Sequence, residues 1–493
     1  MPLLVTPSGS LEGVALDGVD AYLGIPYARP PVGLLRFQPP QPIAAWSGVR
    51  DASRFGPSAP QVLGGPFAGL VPGMGVTATD EDCLTINVWA PHDAVDAPVM
   101  VWLHGGAFVL GGSSLPTYDG ALLAREQRVV VVSLNYRLGA LGFLYGVPGV
   151  ASNCGLRDQV LGLSWVRDHI AAFGGDPGNV TVFGESAGAG SVVHLLASPS
   201  ARGLFHRAIA QSPGVGQTLT PEAAARVSAA FLAKVPEPHS ATVEDILAAQ
   251  VQIADELLMT VGAMPFHPAV DVEALPVAPL WPGATAPVAL LAGTTSEEMR
   301  LFVDPVMATT DLATLALILC PLLSAEAHRS LDADKVAQVV HAYAEALIPP
   351  GDAGDVFAGL TTDVVMRLPL EILLDDHVQR APVYAYSFTW RATGAPGDVG
   401  ACHAVDLPFV FGSLDREGWG SWVGDAEQAE RLSRQVRQAW ASFARTGVPA
   451  ADGLPTWATY GAHRQTMALG RTVELVTDPL DSVRERCAPL RTG

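Results

Sequence analysis

Short apolar runs recur along the chain, with segments of helical periodicity between them. Each run is four to eight residues long, the length expected of a strand buried on both faces of a sheet. Repeated strand and helix of this kind predicts an α/β fold around one sheet with mainly parallel strands. The runs that predict its strands are 85–90, 99–103, 129–134, 180–183, 208–211, 288–292, 383–390 and 466–469.

Two long stretches, about 221–287 and 299–381, have a helical pattern and contain no predicted strand. Ligands of an α/β sheet bind beyond the carboxyl ends of its strands, so insertions at those ends would form the walls of a pocket. The remaining predicted elements are an antiparallel edge at 14–23, a surface loop at 64–79, and helices at 121–127, 158–173 and 426–445.

The stretch 180–196 predicts a strand, a sharp turn and a helix. The apolar run ends at Gly184, and Ser186 lies between Gly184 and Gly188. Both glycines are needed because a Cβ there would collide with the neighbouring strand or helix. Ser186 would stand exposed above the strand end, with the Ala187 N–H directed to the same space from a helix N-terminus. Ser186 is therefore the candidate nucleophile, although an ordinary strand-to-helix turn can contain the same string.

A serine nucleophile requires an imidazole to take its proton and an acid to orient that imidazole. After an elbow of this kind, the acid and then the histidine are expected in chain order. His403 follows the 383–390 run across a Gly/Pro-rich loop, where either a general base or an ordinary surface histidine is expected. Glu297 and Glu298 follow the 288–292 run, and the pattern does not decide between these two carboxylates.

The segment His104-Gly-Gly-Ala-Phe follows the 99–103 run directly. Small residues there allow backbone N–H groups to approach a substrate oxygen. An ordinary Gly-rich turn without a catalytic role would have the same sequence pattern. Together with the Ala187 N–H, the segment would supply up to three hydrogen-bond donors to an oxyanion.

The composition narrows the possible functions. The 493 residues, 49% of them hydrophobic, can form a sizeable core. A net charge of −20 argues against phosphate backbones or anionic membranes as partners. Five scattered cysteines without a Cys-x-x-Cys pair support neither a zinc site nor a disulfide framework. The N-terminal residues lack a basic region followed by a long apolar one, so we expect no signal peptide and a cytoplasmic protein.

Six ordered motifs spread over the chain resemble those of type-B carboxylesterases. This α/β-hydrolase family includes bacterial para-nitrobenzyl-type esterases, animal carboxylesterases and cholinesterases. The resemblance implies one α/β-hydrolase domain over residues 1–493 that hydrolyses carboxylic esters. The motifs are Gly24-Ile-Pro-Tyr-Ala, Glu81-Asp-Cys-Leu-Thr-Ile-Asn-Val-Trp, His104-Gly-Gly-Ala-Phe, Asn135-Tyr-Arg-Leu-Gly, Phe173-Gly-Gly-Asp-Pro and Phe183-Gly-Glu-Ser-Ala-Gly.

The resemblance also implies roles for individual residues. It assigns the triad to Ser186, Glu298 and His403, and the oxyanion hole to the N–H groups of Gly106, Ala107 and Ala187. Ser212 matches a serine that supports the triad from behind. Independently of the resemblance, Glu185 lies beside the candidate nucleophile, where it either tunes the charge of the site or is a solvated or structural carboxylate. Two structural ion pairs are implied, Arg36 with Glu81 and Arg137 with Asp158. No metal or organic cofactor is implied.

Departures from the family pattern restrict the expected activity. No cysteine precedes Cys83, so the disulfide that secreted members form there is not possible within the chain. No tryptophan occurs in 64–79, which argues against choline esters as substrates. Met299 replaces the usual glycine after the triad acid.

We therefore expect a serine carboxylesterase that acts on a small-molecule ester through an acyl-enzyme, as a monomer or weak homo-oligomer. A binding protein that keeps the fold without the activity is the alternative from another class. An amidase, a thioesterase or an acyl transferase would use the same triad.

Overall fold

Fourteen strands are present in the computed structural model, which describes residues 1–64, 69–327, 329–347, 350–416 and 418–491. In chain order they are β1 (Leu3–Thr6), β2 (Gly9–Glu12), β3 (Val14–Leu16), β4 (Val19–Pro26), β5 (Val49–Asp51), β6 (Thr85–Pro91), β7 (Ala97–Leu103), β8 (Val130–Leu134), β9 (Gly175–Glu185), β10 (Arg207–Gln211), β11 (Ala289–Thr295), β12 (Val383–Phe388), β13 (Gln465–Leu469) and β14 (Val473–Thr477).

Eleven of these strands form one sheet in the order β14-β13-β12-β11-β10-β9-β7-β8-β6-β4-β3. The strands from β13 to β8 pair in parallel. The edge strands β6, β4 and β3, and β14 at the opposite edge, pair antiparallel. The predicted α/β fold with a mainly parallel sheet is confirmed. Because β7, β9, β10, β11 and β12 run in the same direction, their carboxyl ends meet along one edge of the sheet.

Helices cover both faces of this sheet. In the described residues they are α1 (Ala121–Gln127), α2 (Gly139–Phe143), α3 (Cys154–His169), α4 (Ala187–Ala197), α5 (Pro221–Lys234), α6 (Val243–Val261), α7 (Leu312–Glu326), α8 (Ala333–Ala346), α9 (Ala353–Thr361), α10 (Leu368–His377), α11 (Leu407–Phe411), α12 (Trp419–Val423), α13 (Ala426–Thr446), α14 (Asp481–Arg486) and α15 (Ala488–Arg491). A π-helical turn, Thr362–Arg367, joins α9 to α10. None of the described helices has the length and apolar character needed to cross a bilayer.

The core lies on both sides of the sheet because alternate side chains of each strand point to opposite faces. In β7, Val99 and Val101 pack into one apolar cluster, whereas Met100 and Trp102 pack into the other. The amphipathic helix α13 covers the second cluster with the four residues predicted for its core face, Leu432, Val436, Trp440 and Phe443. Burial of each such side chain stabilises the fold by about 1.5–3 kcal/mol.

Some bounds differ from the prediction by a few residues, as in α3, which begins at Cys154, and β12, which ends at Phe388. Three differences have a clear physical reason. Strand β9 begins at Gly175, within the Gly/Pro-rich run predicted only to end a helix, because Gly175 pairs with Ala97 of β7. Strand β14 was not predicted, since it is a half-exposed edge without a continuous apolar run. In the first insertion, the helices stop at Val261, and the following segment to residue 288 contains six prolines, which interrupt helical hydrogen bonding.

Residues 65–68 of the predicted loop 64–79, and residues 328, 348 and 349 of the second insertion, lie outside the described residues.

Both ion pairs expected from the resemblance are formed. Arg36 and Glu81 meet through two hydrogen bonds of 2.7 and 2.5 Å. Arg137 donates to the two carboxylate oxygens of Asp158 at 2.8 and 2.6 Å, and both side chains are buried. All five cysteines are free thiols.

Candidate active site

Ser186 occupies the turn between β9 and α4. Its backbone has φ 56° and ψ −125°, a conformation that costs a non-glycine residue about 1–3 kcal/mol. The Ser186 N–H donates to the Gln211 carbonyl of β10 at 2.9 Å, which fixes the turn to the neighbouring strand. Ser186 is partly exposed, whereas Glu185 and Ala187 on either side are buried. The strained turn therefore holds one hydroxyl at the carboxyl edge of the sheet.

The two glycines of this turn are required by close backbone packing. A Cβ on Gly188 would lie 2.0 Å from the carbonyl oxygen of Leu103, the last residue of β7. A Cβ on Gly184 would lie 2.5 Å from the carbonyl carbon of Gly188. Neither position tolerates a side chain, as the sequence predicts.

The segment 104–108 leaves the carboxyl end of β7 and lies against the Ser186 turn. A Cβ on Gly105 would be 3.2 Å from the Ser186 Cβ. Gly106, Ala107 and Phe108 have successive φ values of 114°, 54° and 60°, a backbone conformation that is uncommon for the two residues other than glycine. Within the described residues, no hydrogen bond uses the N–H of Gly106 or Ala107 as its donor. The segment therefore presents unpaired backbone donors next to the serine.

Several contacts hold this segment in place. The Gly106 carbonyl accepts from the Val109 and Leu110 N–H groups at 3.0 and 2.9 Å. The His104 ring stacks on Tyr136 at 4.5 Å, and the Tyr136 hydroxyl donates to the His104 carbonyl at 2.7 Å. Burial lowers the pKa of His104 to about 4, so its imidazole is neutral near pH 7. His104 is thus a structural histidine.

His403 and Glu298 form a short side-chain hydrogen bond. His403 Nδ1 donates to Glu298 Oε2 at 2.6 Å, and Glu298 is completely buried. The second oxygen, Oε1, accepts the Thr295 N–H at 2.8 Å, and the His403 N–H donates to the Glu298 carbonyl at 3.2 Å. Glu297, the other carboxylate that the sequence pattern left open, binds the Ala401 N–H instead. The structure thus brings His403 to Glu298.

The other ring nitrogen of His403 faces the residue before the serine. Nε2 lies 3.2 Å from Oε1 of the buried Glu185. The contact is electrostatic, because its angles are not those of a hydrogen bond and Oε1 has no hydrogen-bond partner among the described residues. Within the described residues, no hydrogen bond joins the Ser186 hydroxyl to the His403 ring. The imidazole is therefore beside the turn but directed at Glu185.

Burial and charge act in opposite directions on these groups. Burial lowers the pKa of His403, but the nearby Glu185 and Glu298 carboxylates outweigh it and raise the pKa to about 9. Burial raises the pKa of Glu185 to about 8, although His403 opposes the shift. Since the two groups interact strongly, their protons are lost as a coupled pair.

Asp406 is a further buried carboxyl that was not predicted from the sequence. Burial raises its pKa to about 6, and Gln211 Nε2 donates to its Oδ2 at 2.8 Å. Gln211 is held in turn by Trp440, whose indole N–H donates to its Oε1 at 3.1 Å. One feature of the sequence could have identified Asp406: it lies three residues after His403, a spacing that places a carboxyl close to the imidazole.

Ser212 follows β10 at the same edge of the sheet. It has φ 51°, and its N–H donates to the Gly293 carbonyl at 2.8 Å. Gln211 is in register with Glu185, and Ser212 and Ser186 directly follow these two residues, just past the ends of β10 and β9. Its hydroxyl is buried and has no hydrogen-bond partner in the described part of the chain. A supporting role for Ser212 stays a prediction.

The chain is similar to known proteins over almost its whole length. The sequence profile of the Carboxylesterase family matches residues 1–485. The chain is 37% identical to the para-nitrobenzyl esterase of Bacillus subtilis (strain 168), with 99% of this chain and 98% of that protein covered. It is 36% identical to the phenmedipham hydrolase of Pseudarthrobacter oxydans, with 94% and 93% covered. A thermophilic PNB esterase structure superposes with a TM-score of 0.87 at 36% identity, over 98% of this chain and 99% of that one.

Proposed function

The chain belongs to the carboxylesterase family, and from this premise we propose that Ser186, His403 and Glu298 are its catalytic triad. Family membership makes the protein a carboxylic ester hydrolase. The proposal concerns the groups that perform the hydrolysis. The observation that carries it is the 2.6 Å hydrogen bond from His403 to Glu298, in an imidazole whose other nitrogen faces the residue before Ser186.

In the proposed mechanism, Ser186 Oγ attacks the ester carbonyl carbon while His403 Nε2 takes the hydroxyl proton. The N–H groups of Gly106, Ala107 and Ala187 donate to the resulting oxyanion. His403 then gives its proton to the alkoxide oxygen as the carbon–oxygen bond breaks, which releases the alcohol and leaves an acyl-enzyme.

Water completes the proposed cycle by the same route. His403 takes a proton from the water that attacks the acyl carbon and returns it to Ser186 Oγ as the acid leaves. Glu298 stabilises the imidazolium in both steps. This assignment is supported by the unpaired N–H groups beside Ser186 and by the N-terminus of α4, whose first N–H groups have no partner within the helix.

Replacement of the proposed nucleophile tests the assignment. Ser186→Ala should abolish hydrolysis of a short-chain nitrophenyl ester, while circular dichroism shows a folded protein. An organophosphonate should add its mass to the peptide containing Ser186 in the wild type and not in the variant. Ser442→Ala, at an exposed hydroxyl on α13, is the matched control and should retain full activity and labelling. Unchanged turnover in Ser186→Ala would reject the proposal.

A proposal for the substrate class is supported by the name of one relative and by the sequence. We propose small esters of aromatic alcohols as substrates, because one relative is named a para-nitrobenzyl esterase. The lack of tryptophan in 64–79 argues against a quaternary ammonium site. A comparison of kcat/KM for a nitrobenzyl ester and for acetylcholine tests this choice, and equal values would contradict it.

The same proposal treats residues 1–493 as one domain, with the insertions 221–287 and 299–381 as pocket walls. It includes no nucleic-acid partner, because a protein with a net charge of −20 is repelled by the phosphate backbone. It assigns a reducing, cytoplasmic location, supported by the five free thiols. It expects a monomer or weak homo-oligomer, which light scattering after size-exclusion chromatography measures.

A further inference from the structure

The proposed acid and base stand on two separate loops. Glu298 lies just after β11, and His403 lies on the loop that runs from β12 to α11. The 2.6 Å distance between their side chains therefore depends on how the two loops are fixed to each other. Backbone hydrogen bonds join the loops at two places, from the Glu297 N–H to the Ala401 carbonyl at 3.0 Å and from the His403 N–H to the Glu298 carbonyl at 3.2 Å.

Four charged side chains form ion pairs between and along the two loops next to this junction. They are Glu297, Arg391, Asp398 and Arg300, and we call this set the charge clasp. Arg391 donates to Glu297 through one nitrogen and to Asp398 through another at 2.8 Å. Arg300 donates to the other oxygen of Asp398 at 3.0 Å, and its Nε lies 3.8 Å from Glu297 Oε1. Positive and negative groups thus alternate around a closed ring, two of them on each loop.

Glu297 is the member of the clasp closest to the site. Its Oε2 accepts the Ala401 N–H at 2.9 Å, so one carboxylate oxygen binds both the backbone and the Arg391 guanidinium of the opposite loop. Gly400 makes room for this contact, since a Cβ there would lie 2.5 Å from Glu297 Oε2 and its φ is 61°. Glu297 therefore connects a charged cluster at the surface to the backbone beside His403.

We infer that Glu297 is a positioning residue: through the charge clasp it fixes the loop of His403 against the loop of Glu298. The inference rests on the proposed triad. The Glu297 side chain is 25% exposed and that of Arg391 46% exposed, so the clasp contributes less to global stability than a buried pair does. Its effect falls on the alignment of the acid and the base, where small displacements reduce rate strongly.

Two variants remove the clasp's charge from opposite sides. Glu297→Gln keeps an oxygen for the Ala401 N–H but loses the attraction to Arg391, and Arg391→Gln loses the same attraction from the other loop. In each variant kcat should fall about tenfold, with KM within about twofold of the wild type, because alignment rather than binding is lost. Glu297→Asp, which keeps the charge, should recover part of the loss. Arg125→Gln, which breaks the remote pair of Arg125 with Asp17, is the matched control and should change neither constant.

The pH profile separates positioning from direct electrostatics. The titratable groups that face His403 are Glu185 from β9, Glu298 from the turn after β11, and Asp406 from its own loop. A loosened clasp weakens the Glu298 contact, which lowers the pKa of His403, so the acid limb of kcat/KM should move to lower pH in both variants. A direct charge effect would instead shift the limb down in Glu297→Gln and up in Arg391→Gln.

Shifts in opposite directions, or unchanged kcat in both folded variants, overturn the inference and leave the proposed triad intact. Activity retained in Ser186→Ala would instead reject the proposed triad. That test uses no clasp variant, so failure of the triad and failure of the clasp inference are distinguishable. Reduced kcat with acid limbs moved down in both variants supports the clasp. Thermal unfolding temperatures close to that of the wild type show that the loss is not one of folding.

Discussion

His403 Nε2 lies 3.2 Å from Oε1 of Glu185, the residue directly before Ser186. The imidazole is thereby placed between two buried carboxylates, with Glu298 at Nδ1 and Glu185 at Nε2. Since a neutral ring is the form that accepts the serine proton, a pKa of about 9 for His403 limits the reactive fraction near pH 7. Glu185 thus acts on the basicity of the proposed base and on the stability of its cation.

Glu185→Gln removes one of these charges and keeps the size of the side chain. Burial already lowers the pKa of His403, and Glu185 is the largest of the opposing charges, so the variant should have a lower pKa. The acid limb of the kcat/KM profile should move down by about 1 pH unit. The plateau of kcat should fall about tenfold, because the carboxylate also stabilises the imidazolium in the transition state. A pH–rate profile with a nitrophenyl ester measures both effects.

The matched control for this variant is Glu256→Gln, which removes an exposed carboxylate paired with Lys234. Its profile should coincide with that of the wild type. An acid limb that stays in place in Glu185→Gln would contradict the electrostatic role assigned to Glu185.

The buried acids also make stability depend on pH. The pKa of Glu185 is raised from 4.5 to about 8 and that of His403 from 6.5 to about 9, so the folded state holds more protons than the unfolded state between these values. Stability should therefore decrease as the pH rises from about 5 to about 9, by about 1.4 kcal/mol per pH unit for each proton of difference. Urea unfolding at several pH values measures the slope. Glu185→Gln should give a shallower slope, and an equal slope would contradict this origin.

Gly106→Ala tests the proposed oxyanion donors. Gly106 has φ 114°, and a Cβ there would lie 2.1 Å from the Leu110 carbonyl oxygen, so the loop backbone that holds the proposed donors must rearrange. Loss of one donor should lower kcat about 100- to 1000-fold. Gly33→Ala provides the control, because Gly33 also has a positive φ of 57° but nothing within 4 Å of the added Cβ. Steady-state kinetics of both variants decide the point, and a Gly106→Ala enzyme with wild-type kcat would remove this loop from the mechanism.

Local features of the site could be read from the sequence because they depend on adjacent residues. The glycines around Ser186 were predicted from the need for close packing, and the structure places Leu103 and Gly188 where a Cβ would collide. Helix α1 has the predicted bounds, since its apolar period is bracketed by clear breaks. The order of the motifs then indicated the family and, with it, the sheet.

Features that depend on side-chain direction across loops could not be read in this way. Glu297 and Glu298 lie at a 3₁₀ turn, where no periodicity tells which carboxylate faces His403. The Glu185 contact to Nε2 requires the meeting of β9 with a loop more than 200 residues later in the chain. The contact between Asp406 and Gln211 joins residues 195 positions apart, so no local pattern in the sequence indicates it.

The buried pair of Arg137 and Asp158 yields the last prediction. Arg137→Met leaves an uncompensated carboxylate in a site with no exposure, which should lower the free energy of unfolding by about 3–5 kcal/mol. Burial already raises the pKa of Asp158, and without the opposing Arg137 charge the loss should grow as the pH rises. The double variant with Asp158→Asn removes the stranded charge and should recover part of the stability. Arg128→Met, at the exposed pair with Asp93, should cost less than about 1 kcal/mol. Urea unfolding of the four proteins measures these differences, and equal losses at the buried and exposed pairs would contradict the argument.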